Sequence, residues 1–248
     1  MHPRTHSKQQ ESDTATPASN GRKPRRDHGT HQKLLVSAAE VFRRKGWHGA
    51  TVDDIIKEAG VSRGSFYVYF ENKQDVFERI IAPILDILFE EAGRRRPGST
   101  IFARLEAGNR TFLEAWRRDP GLMRITFETN LDVQTNVSVA EMRRRFIERS
   151  ANALRRHVAE GITHEGIDPD FAAGALAGMV TDFARERWFT GRSSEEPEDV
   201  LSLSYQLSAL WYRAVYSAAA PPVPSEAEYR AQLKAQEEAT PLVAAGPD

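Results

Sequence analysis

Two very short helical segments, separated by a glycine turn, constrain this chain more than any other feature of its sequence. Thr51 and Asp54 have the spacing of a capping box, and the apolar residues after them predict a helix that ends at Gly60. Ser62 is suited to cap a second helix of similar length. Because helices of about two turns are unstable alone, both need a third helix behind them, which the apolar spacing of residues 31–46 supplies.

A glycine turn between two short helices, inside a three-helix cluster, is typical of a helix-turn-helix, whose second helix enters the major groove of DNA. Phe66 and Phe70 share one side of the second helix, so we expect them to anchor it to the cluster. Gly64 and Val68 lie roughly opposite, where the missing side chain of glycine permits close approach to the backbone. Arg63 carries the forked donors that suit a guanine edge.

Further polar groups on the same stretch are suited to phosphate oxygens. Ser65 can reach a base or a phosphate, and Tyr67 and Tyr69 carry hydroxyl groups on rigid arms. Lys73 lies in the first turn of the next helix, where the helix dipole already favours an anion, and Thr51 is placed similarly before an earlier helix. Each residue alone has an ordinary structural explanation, but together they indicate a surface that binds DNA.

This stretch resembles the N-terminal signature of TetR-family transcriptional regulators over roughly residues 31–77. The resemblance is carried by Gly46-Trp47, by the run 50–55 and by the run 59–73. It implies that Tyr67 and Lys73 contact phosphate and that Phe70 is an aromatic core partner. The positions that read bases or face DNA in such proteins correspond to Ser62, Arg63, Gly64, Ser65 and Tyr69.

The sequence departs from the family pattern at two positions. His31 stands where an arginine is common at the start of the first helix, and Ile56 replaces a common alanine. The first change bears on a DNA contact of that helix, and the second is a change in packing.

The rest of the chain is also helical in pattern, and the predicted fold class is all-α. A long helix with Pro83 inside it is expected over 73–95, and further helices near 100–118, 121–131, 138–162, 169–190 and 198–217. No alternating apolar run indicates a sheet. The predicted domains are a disordered basic arm at 1–29, a helix-turn-helix DNA-binding domain at 30–77, a helical ligand-binding and dimerisation domain at 78–217 and a flexible tail at 218–248. Within the tail, residues 225–238 could form a frayed helix that nothing requires to be buried.

The composition of the chain limits the kinds of partner and site that it can have. Residues 1–77 carry 13 Lys and Arg against 9 Asp and Glu, whereas the remainder carries 21 against 26, so the N-terminal part is the one suited to an anion. The chain has no cysteine, which excludes disulfides and thiolate sites and suits a cytoplasmic location. The longest apolar run is far shorter than the ~20 residues that span a bilayer, and the polar start is unlike a secretory signal. We therefore expect no membrane partner.

The family resemblance implies that the body binds a ligand and dimerises, with its last two long helices pairing as a four-helix bundle. Without the resemblance, the same apolar faces could fill the core of a single subunit. Few charged residues are expected inside these helices, which favours a hydrophobic small-molecule effector. Thr126, Asn130 and Asp182 could supply polar contacts. The residues expected to line the cavity are Phe112, Trp116, Phe127, Phe146 and Phe183.

The function expected from these observations is that of a homodimeric repressor, which binds a pseudo-palindromic double-stranded DNA operator and is released by the effector. His157 and His164 lack a metal-ligand spacing and are expected to be solvated surface residues, and no cofactor is implied. Two alternatives stay open: a regulator that binds DNA without a ligand, and a helical-bundle enzyme acting on a hydrophobic substrate. The enzyme requires converging catalytic groups, and no such group can be picked out from the sequence.

Overall fold

The structure, a computed structural model, describes residues 28–93, 99–127, 133–189 and 199–239. The helices within these ranges are α1 (His28–Gly49), α2 (Val52–Ala59), α3 (Arg63–Tyr69), α4 (Lys73–Gly93), α5 (Ile101–Arg118), α6 (Pro120–Phe127), α7 (Val133–Ala159), α8 (Pro169–Phe189), α9 (Val200–Val215) and α10 (Glu226–Ala239). The predicted all-α class is confirmed. Almost all of the predicted basic arm, including its cluster at 21–26, lies outside the described residues.

Capping residues and glycines in the sequence predicted most of the helix ends correctly. Gly46 has a φ of 68°, a left-handed conformation that suits the predicted end of the first regular helix. Gly60 is also left-handed, and its N–H donates to the carbonyl groups of Ile56 and Lys57 to close α2. The clearest difference is α7, which begins at Val133, five residues before the predicted start.

Helices α1 to α4 form the head, whose core is rich in aromatic side chains. The Phe42 ring stacks on Trp47 at 5.8 Å between centroids and meets the edge of Phe77 at 5.3 Å. Leu122 and Ile125 of α6 are buried in the same core, although they lie far along the chain. The head therefore packs directly on a helix of the body.

The body consists of α5 to α10. Helix α5 packs along α9, and α7 packs along α8, around a second core that contains Trp116 and Met123. None of the helices in the described ranges is apolar over a length sufficient to cross a membrane.

A buried carboxylate lies between α5, α9 and α10. Glu106 is fully buried, and its two oxygens accept hydrogen bonds of 2.6 Å from the hydroxyl groups of Ser204 and Tyr229. One turn along, Asn109 Nδ2 donates to Ser208 Oγ at 2.9 Å. The expectation of few charged residues in the interior therefore missed Glu106, because periodicity alone does not show that a remote helix supplies its donors.

The segment after α9 packs back onto the body. The hydroxyl groups of Tyr205 and Tyr212 donate to the carbonyl oxygens of Pro224 and Pro221, at 2.6 and 2.8 Å. Tyr229 of α10 is almost completely buried, with its ring edge-on to Phe102 at 5.3 Å. The sequence did not predict this burial: two proline carbonyls and Tyr229 attach residues 221–229 to the body. Residues 240–248 lie outside the described residues.

His157 also differs from its prediction as a solvated surface residue. Its Nδ1 lies 2.8 Å from the hydroxyl group of Tyr216, at the end of α9, and the side chain is partly buried. Burial, followed by the nearby Tyr212, raises the pKa of Tyr216, so that the phenol stays protonated and can share its proton with the imidazole. This hydrogen bond joins the end of α7 to the end of α9.

We expect Tyr229→Phe to lower the free energy of unfolding by about 1–3 kcal/mol, because it removes a donor from a buried carboxylate. Urea unfolding followed by circular dichroism measures the change. Tyr67→Phe is the control, since Tyr67 is half exposed on the head. If the two substitutions destabilised the protein equally, the role assigned to Tyr229 would be wrong.

Candidate nucleic-acid interface

Helix α3 has seven residues, and two aromatic side chains set its orientation. Ser62 caps it by accepting a hydrogen bond from the backbone N–H of Ser65 at 3.1 Å. Phe66 and Phe70 are buried in the head core, with ring centroids 5.7 Å apart. The predicted anchor is confirmed, and it leaves the opposite side of α3 facing outward.

The outward side of α3 carries Arg63, Gly64 and Tyr67. All three are exposed, and the Tyr67 side chain keeps 50% of its surface accessible. A Cβ built on Gly64 would meet only Ser62 Oγ, at 3.8 Å, so packing within the chain does not require glycine here. The space beside the backbone is therefore open to a molecule approaching from outside.

The guanidinium group of Arg63 has two neighbours. Its Nη1 donates to Asp53 Oδ1 at 2.8 Å, and its Cζ lies 6.0 Å from the centroid of the Tyr67 ring. A hydrogen bond with Tyr67 and the charge of Asp53 raise the pKa of Arg63, so that the cation is always present. The side chain is held at the start of α3, where a base edge could meet it.

Thr51 begins α2 with the predicted capping box. Its hydroxyl accepts from the Asp54 N–H at 3.1 Å and donates to Asp54 Oδ2 at 2.8 Å. Lys45 Nζ donates to Asp54 Oδ1 at 2.6 Å. Hydrogen bonds from Lys45 and then from Thr51 lower the pKa of Asp54 to about 2. Thr51 thus has a structural role, and its phosphate contact stays a prediction.

Lys73 has a role that sequence reasoning missed. Its ammonium group donates to the carbonyl oxygens of Trp47 and Ala50, at 2.8 and 3.0 Å, and lies 4.5 Å from the centroid of the Trp47 ring. It therefore stabilises the connection between α1 and α2. The available sequence signal was the glycine at position 46, where the chain turns with a positive φ, but a glycine does not identify the donor. Phosphate contact by Lys73 stays a prediction.

The remaining predicted residues differ in exposure. Ser65 Oγ lies 2.8 Å from Ser62 Oγ at the start of α3. Tyr69 is half-buried, with its ring 5.7 Å from that of His31. The His31 ring also stacks on Phe70 at 5.3 Å, so this departure from the family pattern serves packing.

Residues 34–80 match the sequence model of the family described as bacterial regulatory proteins, tetR family. The HTH-type transcriptional regulator YvdT of Bacillus subtilis is 33% identical over 79 residues, which are 32% of this chain and 41% of the relative. The regulator YdgC of the same species is 25% identical over 169 residues, which are 65% of this chain and 83% of the relative. The chain therefore matches less than half the length of YvdT but most of YdgC.

The likeness extends beyond the head at the level of fold. The solved structure of NalD from Pseudomonas aeruginosa superimposes with a TM-score of 0.65 at 20% identity, covering 77% of this chain and 100% of NalD. The head of this chain is therefore similar in sequence to the TetR family, and most of the chain resembles NalD in fold. The relatives are named as transcriptional regulators, which are not enzymes. These similarities favour a regulator over the alternative of a helical-bundle enzyme.

Three of the five aromatic residues expected to bind a ligand lie together in the body. The Phe127 ring is edge-on to Phe112 at 5.4 Å and lies 6.1 Å from Trp116. Trp116 is completely buried, and its Nε1–H has no hydrogen-bond partner among the described residues. Phe146 and Phe183 are partly buried against the same core.

Of the three polar residues that could contact a ligand, two lie in the described part of the chain. The hydroxyl group of Thr126 donates to the Leu122 carbonyl group at 2.8 Å, which occupies it within its own helix. Asp182 is exposed and forms an ion pair with Arg185 on the surface of α8, and its contact with a ligand stays a prediction. Asn130 lies outside the described residues. No group of three or more acidic or histidine side chains with a metal-binding arrangement is found in the part of the chain that the structure describes.

Helix α6 joins the head to the body. Leu122 and Ile125 belong to the head core, whereas Met123 belongs to the body core. Arg43 of α1 donates through Nε and Nη2 to Asp119 Oδ2, at 2.9 and 2.7 Å, while Asp119 Oδ1 accepts from the Leu122 N–H that begins α6. The sequence offered no signal for this contact, because the partners are 76 positions apart.

The Thr51–Asp54 capping box generates a pH prediction. Because the pKa of Asp54 in the folded state is lowered from 3.8 to about 2, its stabilising effect is complete above pH 4 and is lost as the pH falls toward 2. Asp54→Asn should therefore destabilise the protein at pH 7, with a difference from wild type that shrinks between pH 4 and pH 2.5. Urea unfolding followed by tryptophan fluorescence at several pH values measures this difference. Asp86→Asn on α4 is the control for the loss of one exposed charge, and a difference that grew with acid would contradict the prediction.

Proposed function

We propose that this chain is a homodimeric repressor that binds a pseudo-palindromic operator and is released by a hydrophobic small molecule. One observation carries the proposal: α3 is anchored by Phe66 and Phe70 and presents Arg63 and Tyr67 outward from a TetR-family head. The cytoplasm, where the bacterial chromosome lies, is the compartment that this function requires.

In the proposed complex, α3 lies in the major groove and Arg63 reads a guanine. Tyr67, Thr51 and Lys73 bind phosphate groups, which supply affinity that does not depend on sequence and that falls as salt rises. Ser62, Gly64, Ser65 and Tyr69 complete the proposed DNA-facing set.

The proposed dimer uses the outer sides of α8 and α9. Phe171 and Leu210 are large apolar side chains with 77% and 64% of their surface exposed. On the same helix as Phe171, a Cβ built on Gly174 or Gly178 would meet nothing within 4 Å, which leaves room for a helix of a second copy. A four-helix bundle formed by two copies would cover these groups and would separate the two heads by about one DNA turn, roughly 34 Å.

The proposed effector site lies beside Phe112, Trp116 and Phe127. Apolar rings favour a hydrophobic ligand, and the Trp116 Nε1–H favours one with a hydrogen-bond acceptor. Helix α6 carries Phe127 at its end and packs on the head through Leu122, so a ligand that shifts α6 would also shift the head. Release from DNA requires that the ligand prefer the shifted state. NalD, which shares the fold, is named as a repressor of a multidrug efflux pump.

Selection of duplexes from a random pool tests the DNA-binding part of the proposal. The full-length chain should enrich a two-fold symmetric sequence, and Arg63→Ala should relax preference at one position of each half-site at a cost of about 1–3 kcal/mol. Arg143→Ala, on the exposed side of α7, is the control and should leave the selected sequence unchanged. Identical selected sequences for Arg63→Ala and wild type would exclude base reading by Arg63.

The proposed dimer face is tested by Leu210→Glu. Two buried carboxylates in a dimer interface are strongly unfavourable, so this variant should sediment as a monomer and bind the symmetric duplex at least tenfold more weakly. Ile87→Glu places the same charge at another exposed apolar position and should stay dimeric. A dimeric Leu210→Glu variant would show that α9 is not at the interface.

A further inference from the structure

Asp53 and Arg63 form an ion pair on the surface that we assign to DNA. Asp53 is the second residue of α2, and Arg63 is the first residue of α3. The contact of 2.8 Å between Arg63 Nη1 and Asp53 Oδ1 therefore joins the N-terminal ends of the two helices of the helix-turn-helix. Both side chains are exposed, at 71% for Asp53 and 63% for Arg63.

The ion pair between Asp53 and Arg63 contributes little to the stability of the fold. Ion pairs between exposed side chains contribute about 0–1 kcal/mol. The capping of α2 is carried out by Thr51 and Asp54, and Asp54 is the carboxylate that pairs with Lys45. Asp53 takes no part in the capping box. The helix dipole accommodates a carboxylate in the first turn, but it does not direct that carboxylate to α3.

The pair matters more for the way Arg63 meets DNA. An unrestrained arginine at the start of a helix can turn either to a base edge or to a phosphate, and only the first contact carries sequence information. Asp53 accepts a hydrogen bond from Nη1 of the guanidinium group, whose Cζ also lies 6.0 Å from the centroid of the Tyr67 ring. Because a guanidinium group has five N–H donors, these contacts leave donors for the two acceptors of a guanine.

The charge of Asp53 has a second effect. The N-terminus of α2 would by itself attract phosphate, as any helix N-terminus does. A carboxylate in the first turn offsets this attraction and disfavours contacts that do not depend on sequence. Both effects act in the same direction, since they weaken binding to any duplex relative to binding at a guanine in register.

We infer that Asp53 is a positioning residue that sets the sequence specificity of the repressor by directing Arg63 to a base instead of a phosphate. This inference rests on the proposed function, in which Arg63 reads DNA. Asp53 acts through Arg63 and does not itself need to contact the duplex.

The test measures dissociation constants for the duplex selected by the wild-type full-length chain and for a shuffled duplex of the same composition. The ratio of the two constants is the discrimination. Asp53→Asn keeps the shape of the side chain and removes its charge. We expect it to bind the shuffled duplex about three- to fivefold more tightly, with discrimination reduced by a similar factor. The salt dependence for the shuffled duplex should steepen by up to about one unit, as Arg63 gains a phosphate. Asp53→Glu, which restores a carboxylate, should recover part of the discrimination.

Asp170→Asn is a closely matched control. Asp170 is the second residue of α8 and also pairs with an arginine, since Arg155 Nη2 lies 2.7 Å from its Oδ1. The substitution removes the same charge from the same helix position, but from the body, and should leave discrimination unchanged. Thermal unfolding and sedimentation of each variant show whether its fold and assembly match those of the wild type.

The double variant separates positioning from direct contact. In an Arg63→Ala background, Asp53→Asn should cause no further loss of discrimination, because the side chain that it directs is gone. A further loss in the double variant would mean that Asp53 reads a base itself. Unchanged discrimination in the Asp53→Asn single variant would mean that Asp53 has no role. Either result overturns the inference. A wild-type chain that enriches no sequence would instead overturn the proposed function.

Discussion

Burial of Phe66 and Phe70 is the interaction on which the proposed DNA-facing surface depends. A helix of seven residues is not stable alone, so α3 is helical and oriented only because these two rings enter the head core. Each buried ring contributes about 1.5–3 kcal/mol. Once the rings are in place, the direction of the opposite side of α3 is set, and Arg63 and Tyr67 point away from the protein as a consequence.

The second constraint is that α6 belongs to two cores. Leu122 and Ile125 are buried in the head core, and Met123 is buried in the body core, so the two parts pack on the same helix. The ion pair between Arg43 and Asp119 joins the same two parts at the surface. A rearrangement beside Trp116 would be transmitted through a single rigid helix of eight residues, which is a short physical path between the proposed ligand site and the head.

Polar contacts in the body play a different part from the apolar core. Glu106, Ser204 and Tyr229 come from three helices, and their hydrogen bonds are satisfied only when all three are in register. An apolar contact tolerates a small slip of one helix along another, whereas a buried carboxylate without donors is costly. The network therefore favours one arrangement of α5, α9 and α10 over its neighbours.

Local sequence was sufficient to predict the helices, the capping box at Thr51, the turn at Gly60 and the burial of Phe66 and Phe70, because each depends on residues within about four positions of one another. Tertiary structure alone decided the partners of Lys73, Asp119 and Glu106, and the pairing of Asp53 with Arg63. Tyr229 and Glu106 are 123 positions apart, and no periodic pattern links them. The physical reason is that a hydrogen bond of a long side chain depends on where a distant backbone lies to within about an ångström, whereas helix formation depends only on neighbours in the chain.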